Sequence, residues 1–359
     1  MNLKYALIGC GRISPNHIQA ALDNELEIVA LCDLDISKAE KLINETMQIP
    51  SAKVYSDYQK MINLEEIDLI AIATESGNHF SIAIDCIKSG INLIIEKPIA
   101  LSLQDADDLI VKAKEFDVKV SACHQNRFNK SIVKIREAIE KERFGKLFYG
   151  TAHIRWNRGK DYYTQAPWRG TWEQDGGTLM NQCIHNIDLL RWMMGNDIDE
   201  VYAYTDNLNH DYIEAEDFGL GLIKFTNGSY GLIEGTTNVY PNNLEETLYL
   251  FGERGTIKAG GKSVNIIEEW NFFDGLDEPA EVKAKYQENS PSIYGYGHKP
   301  LYTDMIAAIS NNREPYVTAI DGRNALELVL ALYKSAAEGK PVKLPLVNVS
   351  TIDFLGRFE

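Results

Sequence analysis

The sequence predicts two domains: an N-terminal α/β domain built on a doubly wound parallel sheet, and a C-terminal α+β domain with a large, mostly antiparallel sheet. Three observations predict this. Short apolar runs alternate with amphipathic helical stretches up to about residue 122. Longer alternating runs separated by turn signals dominate afterwards. A chain of 359 residues also exceeds what one core ordinarily serves. The boundary is set at 122/123, giving domains 1–122 and 123–359.

Lys4 to Ile8 reads as the first strand, followed by glycines and a helix with Pro15 in its first turn and Ile18, Ala21 and Leu22 on one face. Glu27 to Cys32 is the next strand and ends at Asp33; a helix carrying Ala39, Leu42 and Ile43 follows. Lys53 to Tyr55 is a short strand. Asp68 to Ala73 is almost continuously apolar, as a strand covered on both faces must be. Strands Asn92 to Ile95 and Lys119 to Ala122 complete the first half, with helices between them. In the second half a helix covers Lys130 to Ile139, and strands are expected at 147–155, 200–205, 218–225, 230–237, 246–251 and 256–259. One long helix is expected over Thr178 to Met194, and two more near Tyr302 to Ile309 and Gly322 to Ala337. Phe272 to Ser292 has no clear period and reads as a long loop.

A hydrophobic fraction of 45% and a charged fraction of 25% are those of a globular protein. No apolar run reaches the roughly 18 residues of a membrane span, and no signal peptide is recognisable at the N-terminus. A cytoplasmic location is therefore expected. The net charge of -16 disfavours nucleic acid and anionic membranes as partners. The five cysteines are scattered, with no CxxC pair, and the seven histidines show no ligand spacing, so neither disulfides nor a metal site is expected.

Gly9-Cys10-Gly11-Arg12-Ile13-Ser14 lies between the first strand and its helix. Gly9 permits a tight turn, and Gly11 lets backbone approach a pyrophosphate at the helix N-terminus. Asp33, at the end of the next strand, is placed to accept hydrogen bonds from an adenosine ribose. A carboxylate there repels the extra phosphate of NADP, so NAD is the expected cofactor, although Arg12 and Lys38 soften that preference. As a rival reading, Asp33 only caps a turn.

Three motifs in order carry a family resemblance: the Gly9–Ile13 turn, Glu96-Lys97-Pro98 after the fifth strand, and the glycine-rich stretch Gly176 to Asp188. Together they resemble the Gfo/Idh/MocA family, the glucose–fructose oxidoreductase and inositol dehydrogenase group. Within it the sequence is similar to dehydrogenases of sugars and nucleotide sugars, including UDP-N-acetylglucosaminuronate 3-dehydrogenases. The resemblance implies a Rossmann domain, an open-faced sheet domain that forms homodimers or homotetramers, and hydride transfer between a sugar hydroxyl and NAD. It gives Lys97 the role of hydrogen-bonding the reacting hydroxyl and His185 that of base. Many members carry an aspartate where this chain has Asn181. An amide there can position a hydroxyl but cannot take a proton. Asp188 is read as structural. Glu96 either pairs with Lys97 or contacts the cofactor. Thr74, Asn78 and His79 are expected to line the cofactor groove, without the proline that often follows the threonine.

The stretch Arg155 to Trp172 concentrates Arg155, Arg158, Lys160 and Arg169 with Trp156, Trp168 and Trp172 in an otherwise acidic chain. Flat rings stack on sugars and guanidinium forks bind carboxylate or phosphate. An anionic sugar or nucleotide sugar is the expected substrate, with Arg155, Trp168, Arg169, Asn181 and His185 contacting it. Arg127, Tyr294, Tyr296 and His298 are further candidates for the cleft. Two rival activities share the family scaffold: a redox-neutral, NAD-dependent glycosidase, and a regulator that senses NAD or a sugar without turnover.

Overall fold

The structure, a computed structural model, describes residues 3–46, 48–289 and 293–358. It divides into two compact units, one comprising residues up to 124 together with 298–323, the other 125–297 with 324–359. The segment 298–323 thus belongs to the first unit. A single cut at 122/123 misses it, because a chain return leaves no mark in local periodicity.

The first unit is a six-stranded parallel sheet of β1 (Lys4–Ile8), β2 (Glu27–Cys32), β3 (Lys53–Tyr55), β4 (Leu69–Ile72), β5 (Asn92–Ile95) and β6 (Val120–Ala122) in the order β3-β2-β1-β4-β5-β6. All four residues of β4 are buried, as its unbroken apolar run requires. Strand order reverses between β1 and β4, and open sheets of this kind bind ligands beyond the strand ends at such a point.

The second unit is an eight-stranded sheet. Its strands are β7 (Leu147–Arg155), β8 (Ile198–Asp206), β9 (Phe218–Phe225), β10 (Tyr230–Thr236), β11 (Glu245–Gly252), β12 (Gly255–Gly260), β13 (Ile266–Phe272) and β14 (Val342–Lys343), ordered β13-β12-β11-β7-β10-β9-β8-β14. Only the β7–β10 pair is parallel. Two features depart from the sequence reading. β13 continues the meander, and a helix at Pro279–Tyr286 lies inside the expected loop; residues 290–292 of that stretch lie outside the described residues.

Strand alternation gives this sheet two unlike faces. Gly150, Ala152 and Ile154 of β7 point to the helix-covered side, where a Cβ on Gly150 would meet Leu190 and Met194 of the helix Ile184–Met194. On the other side Tyr204, Leu222 and Tyr230 remain 55–63% exposed. An apolar sheet face of this size left in water is costly at about 25 cal/mol per Å².

Candidate functional site

In the first unit the β1 turn meets the switch point. Gly9 has φ +95°, and a Cβ there would lie 2.5 Å from the Ala73 backbone just past β4. Only glycine fits. Around Gly11 nothing lies within 4 Å of a notional Cβ, so the space over the turn is open. The helix Ser14–Asp23 begins there, with Pro15 in its first turn and the Ser14 hydroxyl on the Gly11 carbonyl at 2.6 Å. The N–H groups of Ser14 and Asn16 close on the Gly11 and Ile13 carbonyls at 3.2 and 3.0 Å, Pro15 has none, and Arg12 and Ile13 lie on the turn. Asp33 caps the turn, as its rival reading has it. Its carboxylate accepts the N–H groups of Cys10 and Asp35, each at 2.9 Å, and so shapes the turn. Each oxygen keeps a further lone pair for a ribose hydroxyl. Lys38 Nζ stands 3.7 Å away.

Thr74 follows β4, and His79 lies behind it. His79 is buried with one ring nitrogen 2.8 Å from the Pro98 carbonyl and the other 3.1 Å from that of Thr74. It lies between two loops, its single N–H in the neutral form serving one carbonyl or the other, and has no nitrogen turned outward, contrary to its expected cofactor contact. Burial lowers its pKa. Glu96 is buried too, its carboxylate directed at His17 rather than outward. Lys97, joined to Pro98 by a cis peptide, is the one residue between 93 and 100 that is not buried.

In the second unit the same contrast recurs. Between 175 and 194 only Asn181 and His185 are not buried. The expected long helix is in fact two, Thr178–Asn181 and Ile184–Met194. At the junction the Cys183 N–H reaches the Thr178 carbonyl, five residues back, at 3.0 Å. Such π-type widening is frequent at functional sites.

Asn181 donates its amide N–H to Asp175, which can only accept, so the amide's orientation is fixed. Asp175 also accepts from the Gly170 N–H at 2.8 Å and thereby holds the Arg169 turn beside Asn181. The Arg169 guanidinium lies 4.1 Å from the Tyr162 ring centroid and 4.8 Å from that of Trp168. Arg158 covers the rings of Trp156 and Tyr162 at 4.6 and 5.2 Å. Gln182 donates to the Tyr162 hydroxyl at 3.2 Å, pinning this stack to the residue after Asn181. Arg169 Nε is buried with no hydrogen-bond partner among the described residues. The structure thus gathers Trp168, Arg169 and Asn181, on the helical segment that leads into His185.

Arg155 is not among them. As an odd-numbered residue of β7 it points to the open face, opposite the helix that carries His185, where Glu234 takes it through two bonds of 2.5 and 2.6 Å and Glu245 through a third. Trp172 is also withdrawn from the expected aromatic surface: it is fully buried against Tyr333 and Phe354. Arg127 forms a buried bidentate pair with Asp188, at 2.6 and 2.7 Å. Asp188 is structural, as expected, and Arg127 is not a cleft residue. His298 is buried in the first unit.

Comparison with known proteins finds two domains in the same order, although its second match runs through 298–323, which packs with the first unit. Residues 3–124 match the model described as "Oxidoreductase family, NAD-binding Rossmann fold" and residues 136–344 the family's "C-terminal alpha/beta domain". The chain belongs to the Gfo/Idh/MocA oxidoreductase family. It is an NAD(P)-dependent oxidoreductase of CH–OH groups. It is similar to the WlbA dehydrogenase from Bordetella pertussis solved with NADH and UDP-GlcNAcA: 35% identity, 96% of this chain and 99% of that one, TM-score 0.88. The WlbA dehydrogenase from Chromobacterium violaceum, also with NADH and UDP-GlcNAcA, gives 32%, 96%, 97% and 0.87. The myo-inositol 2-dehydrogenase of Thermotoga maritima is 25% identical over 355 residues, covering 95% of this chain and 98% of its own. Among the described residues no helix is long and apolar enough to cross a membrane.

The family's glycine-rich motif has a physical cause here that the sequence did not disclose. A Cβ on Gly177 would lie 1.7 Å from Glu216 Oε2. The glycine makes room for a buried carboxyl that accepts the Leu179 N–H at 2.7 Å and the Tyr333 hydroxyl at 2.8 Å. Glu216 thus starts the segment that presents Asn181. Burial pushes its pKa up to about 8. Glu246, on the helix-facing side of β11 beside Asn186, is likewise pushed by burial to about 8. Neither was singled out from sequence, since β11 and β9 give no hint of what lies over them.

Both carboxyls keep their protons in the folded chain up to about pH 8. In the unfolded chain they release them near 4.5. The folded state therefore binds more protons between those values, and stability falls as pH rises through that window, by up to about 1.4 kcal/mol per pH unit per group. Glu246→Gln should remove one proton's share of the slope when urea unfolding is followed from pH 5.5 to 7.5. An unchanged slope would show that Glu246 is already ionised.

Proposed function

We propose that this chain oxidises a secondary hydroxyl of an anionic sugar, of the nucleotide-linked uronate class, with NAD as oxidant. The observation that carries this reading is the guanidinium–aromatic stack of Arg158, Tyr162, Arg169 and Trp168, held to the Asn181 amide through Asp175. In a chain of charge -16, a pair of arginines over aromatic rings is a selective place for a carboxylate or phosphate, and the rings suit a sugar or a base. The two WlbA enzymes, solved with UDP-GlcNAcA, support the same class.

The residues of the first unit fit a dinucleotide. Gly9 lets the turn pass close to the Ala73 backbone, Gly11 leaves open space at a helix N-terminus, and Asp33 presents carboxylate oxygens at the end of β2. Gly9, Gly11, Arg12 and Ile13 would hold the pyrophosphate and Asp33 the ribose, with Thr74 and Lys97 on the strand-end loops. When bound, the nicotinamide accepts a hydride. His185 takes the proton of the hydroxyl, since a neutral imidazole is a competent base near pH 7. Lys97 donates a hydrogen bond to the hydroxyl oxygen and stabilises the negative charge that grows on it. Asn181, its amide fixed by Asp175, orients the sugar. Asp33 repels a 2′-phosphate, so NAD is preferred to NADP.

We further propose that the open face of the β7–β14 sheet is covered by a second copy of the chain. Light scattering should give a dimer or larger, and Leu222→Lys with Tyr230→Lys should shift it towards the monomer. A monomeric native chain at micromolar concentration would contradict this.

With NAD present, absorbance at 340 nm should grow with UDP-GlcNAcA and stay flat with free N-acetylglucosamine, which carries neither carboxylate nor phosphate. Arg169→Leu should raise the KM for the uronate at least tenfold, about 1.4 kcal/mol, and His185→Ala should lower kcat at least a hundredfold. Equal turnover of both sugars would overturn the anionic assignment. Full activity in His185→Ala would remove the base from the mechanism.

A further inference from the structure

Four separate segments of the first unit converge beneath Lys97. Glu96 follows β5, His17 sits in the helix Ser14–Asp23, His298 and Tyr302 in the helix His298–Ser310, and Tyr5 in β1. All five are buried. Glu96 Oε1 is 3.0 Å from His17 Nε2 and 3.8 Å from His298 Nε2. The other nitrogen of His17 is 2.7 Å from the Tyr302 hydroxyl, which is 2.9 Å from that of Tyr5. The His17 and His298 rings meet edge to face at 5.3 Å. Glu96 Oε2 accepts the N–H of Lys97 at 3.2 Å.

A buried carboxylate is costly unless its oxygens are satisfied. Here one oxygen is claimed by an imidazole whose far side is held by a phenol, and the other by the backbone of the next residue. The chain Tyr5–Tyr302–His17 therefore dictates where the carboxylate lies, and the carboxylate dictates the backbone at Lys97. On the far side of that residue, His79 grips the Pro98 carbonyl. Two thiols are further titratable neighbours: Cys10 beside Tyr5, and Cys123, whose sulfur lies with donor atoms of His17, Glu96 and His298 within 4.8 Å of one another. Burial would push Glu96 up, but its hydrogen bond to His17 and the nearby His298 imidazole prevail and hold it well below the usual carboxylate range. Burial lowers His298.

We propose that Glu96 is a positioning residue: its buried carboxylate, aimed by His17, Tyr302 and Tyr5, fixes the Lys97 backbone so that the ammonium meets the reacting hydroxyl. This places Glu96 inside the unit and not against the cofactor. It rests on Lys97 acting at the hydroxyl, and the test separates the two ideas.

Glu96→Gln keeps the shape and one accepting oxygen, which can still take the Lys97 N–H, but removes the charge and turns the end facing His17 into a donor. It should lower kcat about tenfold with the KM for NAD within twofold and the melting temperature near that of the native chain. Placed on Lys97→Ala, it should cost nothing more, because a residue that acts through Lys97 has nothing left to position. Tyr302→Phe, which only releases His17, should show a smaller kcat loss that likewise vanishes on Lys97→Ala, and it serves if the Gln variant does not fold. Equal losses in the native and Lys97→Ala backgrounds would overturn the proposal. So would one equivalent of zinc per purified chain, lost in His298→Ala, since the donors would then serve a metal. Full activity of Lys97→Ala alone would instead strike the reading on which the proposal rests.

Discussion

The presentation of Asn181 and His185, the residues proposed to meet the substrate, depends on one buried carboxyl group. Glu216 occupies the space that a side chain at Gly177 would fill, and from there it binds the Leu179 N–H and the Tyr333 hydroxyl. That contact fixes where the Thr178–Asn181 turn begins. The turn then opens into a π-type step before the Ile184–Met194 helix. Every residue between 175 and 194 except Asn181 and His185 is consumed by packing. The two that are left present an amide and an imidazole from a base that has little freedom to shift. The cost is a protonated carboxyl in the core, and with it the pH dependence of stability.

The first unit obeys the same logic with different parts. Between 93 and 100 only Lys97 is left unburied, and the residues on either side of it are held from within, Glu96 by His17 and Pro98 by His79. In both units the side chain proposed to react stands on backbone whose neighbours are locked by buried polar groups. Preorganisation of this kind lets a hydrogen-bond donor or base act without paying reorganisation at the moment of reaction.

Much of the fold was legible because its signals are local. β1, β2 and β5 appear at the expected residues, since a parallel sheet writes itself as short apolar runs. The glycine turn and the Glu96-Lys97-Pro98 motif were legible for the same reason. What escaped was set by contacts distant in sequence. The return of 298–323 to the first unit, the helix Pro279–Tyr286 and the break at Gln182-Cys183 have no local mark. Asn181 was read as lacking a carboxylate, yet Asp175, six residues earlier, supplies one. The histidines showed no ligand or relay spacing, because His17 and His298 meet only across the fold. Arg155 was grouped with Arg169 by composition. Its place in the β7 alternation, with Gly150, Ala152 and Ile154 turned to the helices, was the signal that sends it to the opposite face.

That division of the arginines bears the weight of the functional account. Arg155 is already neutralised by Glu234 and Glu245, whereas Arg169 rests on aromatic rings with a buried Nε that has no partner among the described residues. A chain of charge -16 attracts an anion only where its cations are not already paired with its own carboxylates. The most direct measurement is a crystal structure of the complex with NAD and UDP-GlcNAcA. The account predicts the uronate carboxylate or the diphosphate within hydrogen-bond distance of Arg169, a secondary hydroxyl against His185, and Arg155 still held by Glu234 and Glu245. Sugar density on the open sheet face at Arg155, with Arg169 untouched, would contradict it.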